Sequence, residues 1–204
     1  FALGLTTGKT PIGLYRELVK RHKAGEVSFA NVAVYSLDEF YPIKPTEKQS
    51  RNYRIHEELL DQVDICPENI NFPDGTLSRE ELSSFCANYG KEHIDLMIIG
   101  VGEDGQVGFN EPGSYYKSGT RLVQLSYKSR KTQSGAFGNF ENTPKMAITM
   151  GLGTIMRADR IIVMAWGEEK ASVVQRVVEG EISDLVPASH LQEHPAIEMV
   201  IDEN

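Results

Sequence analysis

The sequence predicts an α/β layered fold with a largely parallel sheet, on three observations. Short β-rich runs alternate with helical patterns from end to end. The 204 residues, 40% hydrophobic and 25% charged, suffice to bury one substantial core. No internal repeat, low-complexity tract or Gly/Ser linker marks a boundary, so residues 1–204 read as a single domain.

In chain order, strands are expected at Phe1–Leu5, Val32–Leu37, Ile94–Gly100, Leu122–Leu125, Ile161–Trp166 and Ile197–Ile201. The first begins at residue 1 with no preceding element to cover it, which predicts a native N-terminal segment upstream. Ile12, Tyr15, Leu18 and Val19 recur at helical spacing, and Thr10-Pro11 ahead of them reads as an N-cap followed by proline at the first helical position. Val173, Val174, Val177 and Val178 form a second helical stripe, which Gly180 closes.

Twenty-one basic against 29 acidic residues give 21 − 29 = −8, a field that repels nucleic acid. Cys66 and Cys86 are too few for a disulfide framework and lack zinc-site spacing, so they read as packing residues of a protein from a reducing compartment. Apolar runs such as Ile161 to Trp166 stop well short of the ~20 residues a membrane helix needs, and no basic-then-apolar leader opens the chain. The expectation is a cytoplasmic protein with neither a membrane nor a nucleic acid as partner.

Strand one runs into Gly4-Leu-Thr-Thr-Gly8-Lys9-Thr10-Pro11 and then a helix. Glycines permit a tight turn, and free amides at the helix start, with the hydroxyls of Thr7 and Thr10, make a seat for one phosphate. The ending Gly-Lys-Thr resembles a nucleotide P-loop, but three residues separate the glycines where that motif requires four. Gly100-Val-Gly102-Glu-Asp-Gly105 satisfies the dinucleotide pattern literally, yet its continuation through Pro112 and Gly113 argues against a long helix, and position 125 holds Leu125 where a ribose-binding acid is expected. What remains is a polar loop at a strand's carboxyl end, where open α/β sheets place ligands. His190-Leu-Gln-Glu193-His194 matches an inverted zinc-protease pattern, but without an evident third ligand it reads as a solvated helix end. Two acidic loci stand out, Asp38-Glu39 and Asp104 with Glu111, at the ends of different strands that can converge over one pocket.

Together, Leu3-Gly-Leu-Thr-Thr-Gly-Lys-Thr-Pro11, Ser36-Leu-Asp-Glu-Phe40, Gly100 to Pro112 with its phrase Phe109-Asn-Glu-Pro112, Met150-Gly-Leu-Gly-Thr154 and Leu191-Gln-Glu-His-Pro195 resemble the glucosamine-6-phosphate deaminase family, collinearly along the chain. Tyr41-Pro and Met164-Ala-Trp-Gly167 are similar to a deaminase-like branch in which this domain is fused to a deacetylase-like one. The resemblance implies a Rossmann-like three-layer α/β/α fold, a homo-oligomer, a sugar phosphate as small-molecule partner, and neither organic cofactor nor metal. It further implies ketol isomerisation of an open-chain 2-amino-sugar phosphate with hydrolytic loss of ammonia. By motif position, Asp38 matches the base that moves a proton between carbons 2 and 1. Thr7, Gly8, Lys9 and Thr10 match the phosphate loop, and Lys170 matches a lysine that also reaches the phosphate. Asp104 and Glu111 match two members of the ring-opening group, and Gln106 stands where the family has its ring-opening histidine.

An amide cannot exchange a proton near neutral pH as imidazole does, and a lost general acid/base costs about 10²–10⁴-fold in rate. Gly135 stands where the family places a basic phosphate contact, with Lys9, Arg130 and Lys131 as substitutes, and the stretch Tyr89–His93 is shorter than the family's usual passage. Three readings stay open: an impaired deaminase, a sugar-phosphate-binding regulatory module, and a related isomerase or 6-phosphogluconolactonase.

Overall fold

Parallel strands separated by helices dominate the computed structural model, which describes residues 1–203. The main sheet has six strands in the order β4-β2-β1-β5-β8-β9, all parallel: β1 (Ala2–Leu5), β2 (Ala33–Ser36), β4 (Ile70–Asn71), β5 (Leu96–Gly100), β8 (Arg160–Ala165) and β9 (Ile197–Ile201). Strand order reverses between β1 and β5, so a crevice opens at their carboxyl ends, where the two glycine-rich turns lie. A second, antiparallel sheet joins β3 (Asp38–Tyr41), β7 (Met146–Thr149) and β6 (Arg121–Gln124).

Apolar alternation along the buried strands feeds a core on each face of the main sheet. On one face Leu3 and Leu5 pack with Tyr15 and Val19 of α1 (Ile12–Lys23) and Ile55 of α2 (Arg51–Glu58). On the other, Met97, Ile99, Ile161 and Val163 meet Tyr89, which follows α3 (Arg79–Asn88), together with Leu152 and Ile155 of α5 (Leu152–Ile155) and Val173 and Val177 of α6 (Ala171–Val178). The layers are helix, sheet, helix. A third cluster, Phe40, Ile43, Phe109, Leu125 and Ala147, lies at the antiparallel sheet.

Several expectations need correction. The segment expected at Leu122–Leu125 pairs in the antiparallel sheet rather than the main one, because it is the partner of β7, an element without its own sequence signal. Thr10 does not cap α1: the helix begins at Ile12 after Pro11, with no side-chain cap bond. His190 and His194 are not solvated. Both are buried, His190 in a 3-10 turn and His194 directly after it, with His190 Nε2 2.8 Å from Asp184 Oδ1 and its ring stacked on Tyr116. His194 Nε2 stands 2.8 Å from the Ala158 carbonyl and its Nδ1 accepts from Ala196 N, so both its ring nitrogens are engaged in the fold.

Candidate active site

After β1 the chain turns through Thr6 to Thr10, with Gly8 at φ 109°, a conformation a side chain strains to adopt. The 12-residue helix α1 follows at once, and its first-turn amides have no intrahelical acceptors. Tyr15 donates its hydroxyl to the Thr6 carbonyl, and Trp166 Nε1, at the end of β8, donates to the Thr10 carbonyl at 2.8 Å. The turn is thereby fixed to both its helix and the sheet.

This turn forms one wall of a cavity of about 260 Å³, lined by Thr7, Gly8, Thr10, Asp38, Asp104, Gln106 and Lys170 among others. Seven of the nine residues singled out in the sequence therefore share one space. Lys9 faces a neighbouring cavity. Glu111 does not line the first one either: its carboxylate accepts from Ser126 N and Oγ at 3.1–3.2 Å, at the N-cap of α4 (Tyr127–Gln133). It fixes the helix that brings Lys128, Ser129 and Thr132 to the cavity.

Asp38 is the buried acid of this cavity. It opens β3 immediately after Leu37, and its side chain is 9% exposed. Burial pushes its carboxyl up to about 6; the Arg51 guanidinium opposes this and Glu39 adds to it. Arg51 Nε stands 3.3 Å from Asp38 Oδ1, and its guanidinium lies 4.6 Å from the Phe40 ring centre and 5.6 Å from that of Phe109. Gly108, at φ +56°, leaves the space that Asp38 needs, since a Cβ there would sit 3.0 Å from Oδ2.

Glu39, the neighbour of Asp38, does different work. Its buried carboxylate accepts from Phe40 N, Arg51 N, Asn52 N and Ser50 Oγ at 2.6–3.0 Å. It therefore satisfies the open amides of α2 and sets Arg51 at the first position of that helix.

Asp104 is ion-paired with Lys128 at 3.2 Å. Gln106 is held loosely, its Oε1 accepting from Ser129 Oγ at 3.4 Å and its Nε2 donating to the Gly108 carbonyl at 3.5 Å. Lys170 donates to the Val101 carbonyl at 3.0 Å, which holds its ammonium at the carboxyl end of β5. Arg130 does not substitute for the basic contact missing at Gly135, because its guanidinium donates to the Phe140 and Thr143 carbonyls. The cations that do reach the cavity besides Lys170 are Arg51 and Lys128. Sequence reading missed both; Ser50 ahead of a helical stretch was the available signal for Arg51, and nothing local tied it to Asp38.

An anion seat beside a carboxylate that ionises near neutrality can hold a phosphorylated molecule and move a proton on it. The family of glucosamine-6-phosphate isomerases and 6-phosphogluconolactonases matches residues 1–200. The chain is 42% identical over 205 residues to a glucosamine-6-phosphate deaminase-like protein of Bacteroides thetaiotaomicron, an alignment covering 98% of this chain and 31% of that protein. It thus spans about a third of that relative's length. It is 37% identical over 205 residues to the glucosamine-6-phosphate deaminase of Thermoanaerobacter pseudethanolicus, covering 98% of this chain and 80% of the other. Among solved structures, a monomeric glucosamine-6-phosphate deaminase superposes with a TM-score of 0.94 at 33% identity, over 99% of this chain and 85% of that one. A 6-phosphogluconolactonase from Thermotoga maritima superposes at 0.75 with 19% identity over 99% and 85%, a likeness of fold alone. The chain belongs to the glucosamine-6-phosphate isomerase/6-phosphogluconolactonase family.

Proposed function

We propose that this chain is an amino-sugar phosphate isomerase/deaminase, converting glucosamine 6-phosphate and water to fructose 6-phosphate and ammonia. The observation that carries this reading is the convergence of Thr7, Gly8, Thr10 and Lys170 with Asp38 on one cavity. The loop amides, the two hydroxyls and the Lys170 ammonium seat the phosphate. Asp38, ionised, takes the proton from carbon 2 of the open-chain sugar and returns it to carbon 1; the resulting carbon–nitrogen double bond at carbon 2 takes up water and releases ammonia. Asp104 and Gln106 face the same space, with Gln106 able to orient a hydroxyl but not to exchange its proton. Glu111 acts at a distance, by holding Ser126 and so the helix that carries Ser129.

Ammonia release from glucosamine 6-phosphate tests this directly, against Asp38→Asn as the blank. A wild-type rate no faster than that variant's leaves the reading without support. Gln106 favours a second reading, a sugar-phosphate-binding module without turnover. Its mark is thermal stabilisation by a sugar phosphate, about 2.7 kcal/mol at 100 times the dissociation constant, with no ammonia released.

No helix among the described residues is long and apolar enough to cross a membrane. The free thiols Cys66 and Cys86 support residence in the cytoplasm, and the exposed Tyr115, Ile182 and Leu185 support a homo-oligomer. Light scattering of the purified chain tests the latter.

A further inference from the structure

Beside the site lies a second cavity of about 550 Å³ that the proposed reaction leaves unused. The two cavities share Thr7, Gly8, Arg51 and Gln133, so they adjoin at the turn that follows β1. Its floor is Ile12 and Phe40, and its charged lining consists of Lys9, Lys48, Arg51 and Arg54, with no carboxylate among the lining residues. In a chain of formal charge −8 this is a concentration of one sign against the overall balance. Arg54 is paired with Glu57 and Glu58 of its own helix, and Arg51 with Asp38. Lys9 and Lys48 have no ion-pair partner among the described residues, so their charge stands uncompensated at the cavity. Gln49 Nε2 donates to the Ala136 carbonyl at 3.1 Å, tying the segment that carries Lys48 to the far wall.

We propose that this second cavity is an anion subsite that takes a second phosphate-type group, alongside the phosphate seated at Thr7 to Thr10. The group is carried either by the sugar phosphate itself or by a free anion; the chemistry that recognises it is the same. This rests on the reading of the first cavity as a sugar-phosphate site. Two flexible ammonium groups over an apolar floor attract a compact dianion strongly and a hydroxyl weakly, which makes the second charge the feature selected.

Calorimetric titration of the full chain tests the subsite without reference to turnover. Fructose 6-phosphate is compared with fructose 1,6-bisphosphate, and inorganic phosphate is then titrated against protein saturated with fructose 6-phosphate, each on the wild type and on Lys48→Glu. The expected result is that the bisphosphate binds about tenfold tighter than the monophosphate, or that phosphate binds on top of the monophosphate. The first outcome assigns the anion to the sugar and the second to a free ion. In either case Lys48→Glu removes the gain and leaves fructose 6-phosphate affinity within about twofold. Absence of both gains in the wild type overturns the proposal, as does a gain that survives Lys48→Glu. Failure of the functional reading looks different: fructose 6-phosphate does not bind, and inorganic phosphate alone, compared between wild type and Lys48→Glu, then decides the subsite.

Discussion

Acidifying the medium from pH 7 to pH 5 should cut ammonia release about tenfold through a single group. Burial holds the Asp38 carboxyl at about 6 where an ordinary aspartate sits at 3.8, with Arg51 opposing the rise and Glu39 adding to it. A group of that value is about 90% ionised at pH 7 and about 10% at pH 5, whereas an exposed aspartate stays about 90% ionised at pH 5. The base must be ionised to accept the carbon-2 proton, so kcat/KM should climb with a midpoint near 6. The measurement is a coupled ammonia assay from pH 4.5 to pH 8 at constant ionic strength. Arg51→Met supplies the second arm. Opposite charge within contact distance lowers an aspartate by roughly 1–3 units, so removing it should move the limb upward by about that much. Arg51→Lys should restore most of the shift. A wild-type midpoint near 4, or a limb that ignores Arg51→Met, would refute the assignment of Asp38 as a buried base governed by Arg51. The same group makes stability depend on pH. Its folded value lies above its unfolded one, so its favourable contribution is complete below about 3.8 and lost as pH rises through about 6, a loss on the order of 3 kcal/mol.

Four further substitutions follow from the geometry. Gln106→His should raise the deaminase rate, by up to about 10²–10⁴-fold if the imidazole reaches the ring oxygen; an unchanged rate in a folded variant means that the pocket differs from the family's elsewhere too. Gly108→Ala places a methyl group 3.0 Å from Asp38 Oδ2 at φ +56°, so kcat should fall at least about tenfold, with a strain of about 1–2 kcal/mol visible in the melting temperature. Lys170→Met should raise KM for the sugar phosphate far more than it lowers kcat, read from initial rates. Glu39→Ala strips three hydrogen bonds from the start of α2 and one from Phe40 N of β3 and should cost about 2–4 kcal/mol in urea unfolding.

Much of this architecture can be read from the chain because strands such as Leu96–Gly100 and, after the exposed Arg160, residues 161–165 are continuous, largely buried apolar runs. The elements that escape are those whose pattern carries no such signal. Strand β3 opens with two carboxylates, Asp38 and Glu39, which read as the polar end of the preceding strand rather than as a strand of their own until the antiparallel partner Met146–Thr149 is in place. The buried state of His190 and His194 is equally illegible, since it depends on Tyr116 and on the Ala158 carbonyl, brought in from distant parts of the chain. In the site, the turn at Thr7 to Thr10, Asp38 and Asp104 are marked by their positions after strands, and Gln106 and Lys170 by the family resemblance alone. Arg51 is not, because what aims it at Asp38 is the clasp of Glu39 on α2, a contact between side chain and distant backbone amides.

The placement of Asp38 follows from a change of sheet. Leu37 donates its amide to the Leu5 carbonyl of the main sheet, and its own carbonyl accepts from Met150 N beyond β7, both at 2.9 Å. One residue is thus shared by two sheets, and the next, Asp38, has its backbone fixed from both sides, with its carbonyl also accepting from Ser36 Oγ at 3.0 Å. A carboxylate whose backbone is held this way stays at its buried position, and burial raises its proton affinity. Successive side chains of a strand point to opposite faces, so when Asp38 turns into the cavity Glu39 must turn away from it, under the start of α2. There it fixes the backbone of Arg51, whose guanidinium stands over the Phe40 ring and returns to Asp38 from the side. Glu39 therefore acts on Asp38 in two opposed ways although it lies outside the lining of the cavity. Its own charge disfavours the ionised form, while its hold on the Arg51 amide, twelve positions on, supports that form. Glu39→Ala should accordingly move the acid limb of catalysis upward where the hold on Arg51 dominates and downward where the charge does.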